Sequence, residues 1–453
     1  MAIATINRFI SLFRVAFDEL APAVSMAECE RLAMMVHRSM DPKTRSYHTA
    51  EHVFFMCEGM NSQQVLAALF HDVVYFQLDG GFPEAVAHTL DVVHCESGVV
   101  SLGDIGSEDT AARLCAHLFG FRSGDVLGLY TGLNEFLSAL VAARLLQPHI
   151  SAADLVRVVA AIEATIPFRA PVAGQGAAEV LAQRVVSWLQ SHSGGAPAAQ
   201  SPEHFASSVV KDAVMLANRD VSGFAQPDPA LFLSSTWLLI EESNAPLRSA
   251  GIYSVTQYRA ALMRMEGFLL SLNPEDIFQS FDAVPGAGAL SGLVARAHAN
   301  IAFACDFLDA KIVAIAVVEA LALSTGTDCP VSMFLGDISS VYGRPRRAED
   351  HLPRVQHTAP LNPALLTVFE DGRSRESSYD LTSSPLTAFI YKSIGHEAMR
   401  AALVQAKAMF AGTLTHQQYL QSLEPSMVRS LARACAEIAM SRQGALLALA
   451  EAL

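Results

Sequence analysis

AALFHDVVY, residues 67–75, places the adjacent residues His71 and Asp72 at the end of an apolar run. The run is helical in character, so we expect the pair to lie at a helix end. Burying an unpaired carboxylate beside an imidazole costs free energy. A divalent metal ion removes that cost, because both groups are natural metal ligands. A His-Asp pair with a solvated carboxylate at a helix C-terminus explains the same residues equally well.

A second stretch, YHTAEHV at residues 47–53, carries His48 and His52 four positions apart. On a helix, two such residues lie about one turn apart on one face. The chain has 15 histidines, so one pair at this spacing is weak evidence by itself. Beside His71 and Asp72, the pair predicts two histidines that serve one metal site.

The composition favours a helical protein with a large core. Hydrophobic residues make up 51% of the 453 residues and charged residues 17%, which excludes global disorder. Alanine and leucine dominate, while clusters of β-branched and aromatic residues are sparse, so an all-α fold is expected. The length predicts two domains, or one large helical body with insertions.

The charge balance argues against broad nucleic-acid binding. The net charge is -14 and no run of five basic residues occurs, so the surface repels a phosphate backbone. The most apolar region, residues 312–323, is interrupted by Glu319 and flanked by Asp309 and Lys311. It falls short of the roughly 18 uncharged apolar residues that a membrane crossing needs, so no span is expected.

The N-terminal stretch and the cysteines indicate an intracellular chain. Phe9, Phe13 and Phe17 share a helical face, and Arg8 and Arg14 interrupt the apolar stretch, which argues against a signal peptide. This helix is expected to pack on the protein body, with a membrane-surface role as the weaker alternative. The seven cysteines form no CxxC pair, which fits a reducing cytoplasm.

Hydrophobic periodicity and the distribution of Gly, Pro and polar residues divide the chain into two predicted regions. The first is a metal-binding helical domain over residues 1–250, and the second is a C-terminal helical region of unknown role over 251–453. Within them we expect helices over 1–75, an insertion of short helices and turns over 79–133, helices over 134–165, a flexible loop over 191–203, a helix over 202–221, further helices to 323, a loop or linker over 324–386 and a helical hairpin over 386–453.

YHTAEHV and ALFHDVVY together resemble the opening motifs of the HD superfamily of metal-dependent phosphohydrolases. The first also resembles a motif of the cyclic-nucleotide phosphodiesterases, which share the helical fold. Three later stretches extend the resemblance over residues 30–245: NEFLSA at 134–139, IEAT at 162–165 and VMLANRDVS at 214–222. The resemblance implies an HD-like helical bundle with an additional C-terminal helical region. It departs from the family in the insertion over 79–133, and in PFR at 167–169, where a histidine is common.

The resemblance implies a set of metal ligands. His52, His71, Asp72 and Asp220 would bind one or two divalent ions (Mn, Mg, Fe, Co or Zn), and Asp72 would bridge to a second ion. Asp212, two helical turns before Asp220, is the competitor for the last position.

The resemblance also implies catalytic roles. His48 would protonate the leaving oxygen, although a second metal ligand or a solvent-facing histidine is the alternative. Glu135 would bind a second metal's water shell or a substrate hydroxyl, unless it only interacts with a helix N-terminus. Arg45 is a candidate phosphate clamp, as are Arg169 and Arg219. For each arginine, a structural ion pair is the competing interpretation.

The implied activity is hydrolysis of a small phosphoester, in the family a nucleotide-like one, by a metal-activated water. Two alternatives remain open. A di-iron oxygenase would recruit further histidines such as His88, His94 and His117. A non-catalytic helical sensor or binding module would explain the unassigned C-terminal half and the departure at 167–169. The C-terminal helices would cap the active site or form a homodimer interface.

Overall fold

The computed structural model describes residues 4–40, 44–128, 131–192, 200–249, 252–336, 346–355 and 359–453. Within these ranges the chain forms nineteen α-helices and one two-stranded antiparallel sheet. The prediction of a predominantly all-α protein is therefore confirmed. None of the helices in the described ranges combines the length and apolarity that a membrane crossing requires.

The chain folds into two compact units whose boundaries differ from the predicted division at residue 250. The first unit comprises Met1–Ala225 and Leu272–Ala297, and the second comprises Gln226–Ser271 and His298–Leu453. The boundaries differ because the segment after Ser271 returns to the first unit.

Two residues fasten this returning segment. Asn218 donates to the carbonyl of Gln279 and accepts from its backbone N–H, both at 2.8 Å. The Gln279 side chain in turn donates to the carbonyl of Ala164 at 2.9 Å. No sequence pattern predicts hydrogen bonds between residues that lie 61 and 115 positions apart in the chain.

The first unit contains ten helices and the sheet within the described ranges. They are α1 (Thr5–Leu20), α2 (Met26–Ser39), α3 (Ala50–Cys57), α4 (Ser62–Phe70), α5 (Phe76–Asp79), β1 (Val93–Glu96), β2 (Val99–Leu102), α6 (Thr110–Phe119), α7 (Leu133–Leu146), α8 (Ala152–Ala164), α9 (Ala177–Ser191) and α10 (Pro202–Asp220). The short helix Val221–Ala225 follows α10 directly. Residues 193–199 of the predicted loop lie outside the described residues.

The remaining helices lie in the second unit, except that α13 begins in the first. They are α11 (Pro229–Ser243), α12 (Val255–Ser271), α13 (Ala287–Ser324), α14 (Val331–Leu335), α15 (Pro363–Asp371), α16 (Pro385–Phe410), α17 (His416–Ser422), α18 (Pro425–Ala436) and α19 (Gln443–Ala452). The predicted linker over 324–386 thus contains α14 and α15, and the predicted final hairpin is a series of four helices. Residues 337–345 and 356–358 of that linker lie outside the described residues.

Helix α4 contains the apolar run that precedes His71 and Asp72, and it lies in the core of the first unit. A capping box starts it: Asn61 accepts from the backbone N–H of Gln64, whose side chain accepts from the N–H of Asn61. From Val65 to Phe70 every side chain is buried, including those of two small alanines that allow close packing against α8 and α1. The helix ends at His71, as predicted.

Helix α1 packs on this core, as expected. Phe9, Phe13 and Phe17 are buried, and the Phe13 ring meets the Phe70 ring edge-on at 5.7 Å between centroids. Burying three phenylalanines contributes roughly 5–8 kcal/mol of transfer free energy, which explains why the apolar face turns inward.

The insertion over 79–133 contains a β-hairpin that the sequence prediction missed. Strands β1 and β2 pair antiparallel, with Val93 opposite Leu102 and Glu96 opposite Val99. The two loop residues are Ser97 and Gly98, with φ values of 50° and 80°. Positive φ at both loop positions is what a two-residue hairpin turn requires, and the Ser-Gly pair was the available signal.

Candidate metal centre

Three separate elements of the first unit bring the four predicted metal ligands together. His52 lies in the first turn of α3, His71 is the C-cap of α4 with Asp72 next in the chain, and Asp220 is the last residue of α10. His48 precedes the N-cap of α3, so the expectation that His48 and His52 share a helix is corrected.

The ligand atoms lie at separations that suit one ion. His52 Nε2 is 2.9 Å from Asp220 Oδ1 and 4.0 Å from Asp72 Oδ2. His71 Nε2 is 3.0 Å from Asp72 Oδ2 and 3.9 Å from Asp220 Oδ1. Ligands at about 2.1 Å from a shared divalent ion are roughly 3.0–4.2 Å from one another. The four separations fall within or close to that range.

The protonation of His71 is set by a backbone carbonyl. His71 Nδ1 lies 2.8 Å from the carbonyl oxygen of Ala68, which can only accept, so Nδ1 carries the proton. In neutral His71 the lone pair of Nε2 therefore faces Asp72 Oδ2. Both atoms are buried, and among the described residues neither has a partner in hydrogen-bonding geometry. Two facing acceptors at 3.0 Å need a shared cation, which is a proton on Nε2 in the metal-free chain and would be a metal ion when one binds.

The electrostatics of the site also favour a bound cation. Burial by itself lowers the pKa of the His71 imidazole, but the carboxylates of Asp72 and Asp220 outweigh it and raise the pKa to about 9. Burial raises the pKa of Asp72, yet the histidines His71, His48 and His52 hold it far below its ordinary value. Asp72 and Asp220 also lie at the C-terminal ends of two helices, where the helix dipole favours cations.

The residues present therefore fit a divalent metal ion. Two imidazole nitrogens and two carboxylate oxygens are a donor set that suits first-row transition metals. The ligand atoms of His52, His71 and Asp72 all lie within 4.8 Å of one another. The side chains of His71 and Asp220 are 2% and 18% exposed, so the site is largely buried.

His48 lies beside this centre. Its ring centroid is 6.1 Å from that of His52 in an edge-on arrangement, and 4.7 Å from that of Tyr75. The ring centroid of Tyr47 is 5.0 Å from that of His48 and 5.5 Å from that of His52. The half-buried imidazole thus lies between aromatic rings. It is next to the predicted ligands but does not belong to the group formed by His52, His71 and Asp72.

Glu135 lies in the first turn of α7 and carries an unusual carboxyl group. Burial raises its pKa to about 7, assisted by the negative charges of Asp72 and Asp220, while Arg169 opposes the shift. The carboxyl of Glu135 is therefore close enough to sense both metal-site aspartates, and it can hold or release a proton near neutrality.

Two neighbours of Glu135 have a role that sequence reasoning missed. Asn134 Oδ1 accepts from the backbone N–H of Phe76 at 3.0 Å. Ser138 Oγ accepts from the N–H of Val74 at 3.1 Å. The NEFLSA stretch thus holds the chain that follows Asp72, although the insertion separates the two in sequence. The spacing of Asn134 and Ser138, one helical turn on one face, was the available signal.

Arg45 fastens the same segment, which corrects its prediction as a phosphate clamp. Its guanidinium donates to both carboxylate oxygens of Asp79, at 3.1 and 2.7 Å, and to the carbonyl of Asp72 at 2.6 Å. The side chain of Arg45 has no exposed surface, so it cannot reach a ligand. Asp79 Oδ2 also accepts from the N–H of Tyr75 at 2.9 Å, which ties the turn together.

Replacing Arg45 with methionine is expected to lower the free energy of unfolding by about 3–5 kcal/mol, because Asp79 is left buried without its partner. Urea unfolding of the metal-free chain measures this. The matched control is Arg31→Met, which breaks an exposed pair with Glu28 and should cost about 1 kcal/mol or less. Equal effects of the two substitutions would contradict the structural role of Arg45.

The other arginine candidates are held by ion pairs. Arg219 donates to the Phe55 carbonyl and to Glu58, both at 3.0 Å. Arg169 Nη1 lies 2.6 Å from Oε1 of the buried Glu163. The structural interpretation therefore holds for both, although the charge of Arg169 is felt at Glu135.

The segment over 167–169 departs from the family pattern and takes a strained shape. Phe168 has a φ of 56°, in the left-handed region that a bulky residue rarely adopts. Its ring packs edge-on against Phe224, with centroids 5.5 Å apart, and Phe224 lies four residues after the predicted ligand Asp220. A phenylalanine contact thus occupies the place where a histidine was expected from the family.

Asp212 is excluded as the last ligand by its own contacts. It pairs with Arg157 at 3.1 Å, and burial raises its pKa. Asp220, by contrast, lies at hydrogen-bonding distance from His52. Of the two candidates, the structure brings Asp220 to the site.

The histidines invoked for a di-iron centre lie elsewhere. His117 Nε2 is 2.9 Å from the carbonyl of Arg184, and its ring packs on Trp188. His88 and His94 are exposed in the insertion, His94 on strand β1. The described structure therefore adds none of them to the four ligands.

Comparisons with known proteins return nothing for this chain: no family model, no curated protein and no solved structure matches it. The geometry of the site and the resemblance of its motifs are therefore the grounds for a functional proposal.

Proposed function

We propose that the chain is a metal-dependent hydrolase of small phosphoesters with an HD-like first unit. The observation that carries this proposal is the pair of facing acceptors, His71 Nε2 and Asp72 Oδ2, 3.0 Å apart and buried without a hydrogen-bonding partner. His52 and Asp220 complete a donor set for a divalent ion. A buried transition-metal site with an adjacent histidine is a common arrangement for hydrolysis.

The chain's own groups divide the work around that ion. A bound divalent metal supplies Lewis acidity and lowers the pKa of coordinated water toward neutrality. His48, held between Tyr47 and Tyr75, would donate the proton that the leaving oxygen needs. Glu135, whose pKa is raised to about 7, can accept or release a proton near neutral pH.

The substrate and setting belong to the same proposal. A small phosphoester, nucleotide-like by resemblance to the HD superfamily, would bind with its phosphoryl oxygens toward the metal. Arg169, already neutralised by Glu163, supplies at most a supporting charge. All seven cysteines are free, as is usual in the cytoplasm. A homodimer built on the C-terminal helices also remains a proposal.

Replacing His48 with glutamine is expected to lower kcat by about 10²–10⁴-fold, because the general acid is removed. Metal content should be unchanged, since His48 is not among the four ligands. Hydrolysis of p-nitrophenyl phosphate and bis-p-nitrophenyl phosphate with Mn²⁺, together with elemental analysis, measures both quantities.

His88→Gln is the matched control, because His88 is an exposed histidine of the insertion. It should leave kcat and metal content unchanged. Wild-type activity in His48→Gln would rule out the acid role of His48. A wild-type chain that binds metal and hydrolyses neither compound would overturn the hydrolase proposal and favour a metal-dependent binding module.

A further inference from the structure

The second unit contains a cavity of about 50 Å³ at the N-terminus of α16, lined by residues that the metal centre does not use. Its polar lining includes Lys311, Glu349, Asp380 and Ser384. Since one water needs about 10–15 Å³ of such space, the cavity suits a few waters or one small ion. Three features of its wall decide which.

The first feature is a buried ammonium group. Lys311 lies on α13, and its side chain is 8% exposed. Its Nζ donates to Asp380 Oδ2 at 2.9 Å and to Ser384 Oγ at 3.4 Å. These two bonds use two of the three donors of an ammonium, and Lys311 lines the cavity.

The second feature is an uncapped helix end. Ser384 is the N-cap of α16, but its side chain accepts no helix N–H. Leu386 and Thr387, at the start of α16, also line the cavity, and among the described residues no acceptor is found for their backbone N–H groups. A positive helix end beside a buried ammonium is unfavourable unless negative charge shares the space.

Asp380 could supply that negative charge, but its carboxylate already accepts hydrogen bonds from several donors. Asp380 Oδ2 accepts from Trp237 Nε1 and Tyr258 OH, both at 2.9 Å, as well as from Lys311. Arg373 Nη1 lies 3.6 Å from the same oxygen, and its side chain has no exposed surface. One carboxylate therefore faces two buried cations.

The third feature is a carboxylate oxygen that lacks a donor. Glu349 Oε1 accepts from Arg347 at 3.0 Å, whereas Glu349 Oε2 is buried without a partner. The side chain is 9% exposed and lines the cavity. A buried carboxylate oxygen without a donor costs roughly 1–3 kcal/mol or more, so whatever fills the cavity should donate to it.

We propose that this cavity binds a small oxyanion that carries a hydroxyl group, of which hydrogen phosphate is the type. Its anionic oxygens would accept from Lys311 and from the N–H groups at the start of α16, and its hydroxyl would donate to Glu349. Sulfate is excluded because it carries no proton at neutral pH. A phosphomonoester is disfavoured for the same reason, since its second pKa is about 6, and by its size. This site is independent of the metal centre and of the proposed hydrolase activity.

Isothermal titration of the full chain, treated with chelator so that the metal centre cannot bind anions, tests the proposal. Inorganic phosphate should bind at one site per chain, and sulfate and methyl phosphate should bind at least about tenfold more weakly. Lys311→Met should weaken phosphate binding at least about tenfold. Glu349→Gln should bring sulfate and phosphate to within about threefold of each other, because an amide can donate to sulfate.

Lys407→Met is the matched control, since Lys407 pairs with Glu266 and does not line the cavity. It should leave phosphate affinity unchanged. If Lys311→Met fails to fold, Glu349→Gln still decides, because its effect is a change in selectivity. Absence of saturable phosphate binding, equal wild-type affinity for sulfate, tighter binding of methyl phosphate, or unchanged selectivity in Glu349→Gln would each overturn the proposal.

Discussion

The substitution Asp72→Asn is expected to remove the metal ion and to lower phosphoester hydrolysis by roughly 10³-fold or more, because one buried anionic ligand is lost. The amide keeps the size of the side chain, so the fold should survive. Elemental analysis of the purified variant and its rate with p-nitrophenyl phosphate measure the two effects. Full metal content in Asp72→Asn would contradict the proposed ligand set.

Helix α10 offers a matched pair of variants for the same question. Asp220→Asn should also lose the ion, whereas Asp212→Asn should keep it, because Asp212 is paired with Arg157. The two aspartates lie about two turns apart on one helix, so general effects on the helix are shared. Loss of metal in both variants would show that the helix, not the ligand, had been disturbed.

The second large effect concerns pH. In the metal-free chain the pKa of His71 is raised to about 9, so the imidazole is protonated at neutral pH and the ion must displace that proton. Metal affinity should therefore rise about tenfold for each unit of pH up to about 9 and then level off. The stability of the metal-free chain should change in the opposite direction, falling as the pH rises. Its His71–Asp72 pair stabilises the fold fully below about pH 6.5 and is lost as the pH rises through about 9.

Isothermal titration with Co²⁺ in buffers of different ionisation enthalpy measures both the affinity and the proton release. About one proton should leave per ion near pH 7. The variant His71→Ala should bind weakly and lose most of the pH dependence. An affinity that does not change with pH in the wild-type chain would refute the assigned protonation of His71.

The parts of the site that sequence could predict are those encoded locally. His71 and Asp72 are adjacent, the apolar helix before them is unmistakable, and its end at His71 follows from the same pattern. Asp220 was predicted from the resemblance of VMLANRDVS, residues 214–222, to the motif that supplies the last ligand in the HD superfamily, and it is the last residue of α10. The choice between Asp220 and Asp212 still needed the three-dimensional contacts.

What sequence could not predict depends on pairing across distance. Arg45 and Asp79 are 34 residues apart, so the sequence left a structural ion pair as the alternative to a phosphate clamp but could not identify the partner of the arginine. Asn134 and Ser138 hold the HD segment across the insertion. The return of residues 272–297 to the first unit rests on a few hydrogen bonds to α10 that no periodicity reveals.

The central claim is that His52, His71, Asp72 and Asp220 bind a divalent ion. The most direct measurement is elemental analysis of wild-type and His71→Ala chains, each stripped with chelator, reloaded with Mn²⁺ and desalted. The account predicts about one ion or two per wild-type chain and almost none in His71→Ala. Equal metal content in the two proteins, or none in the wild type, would contradict it.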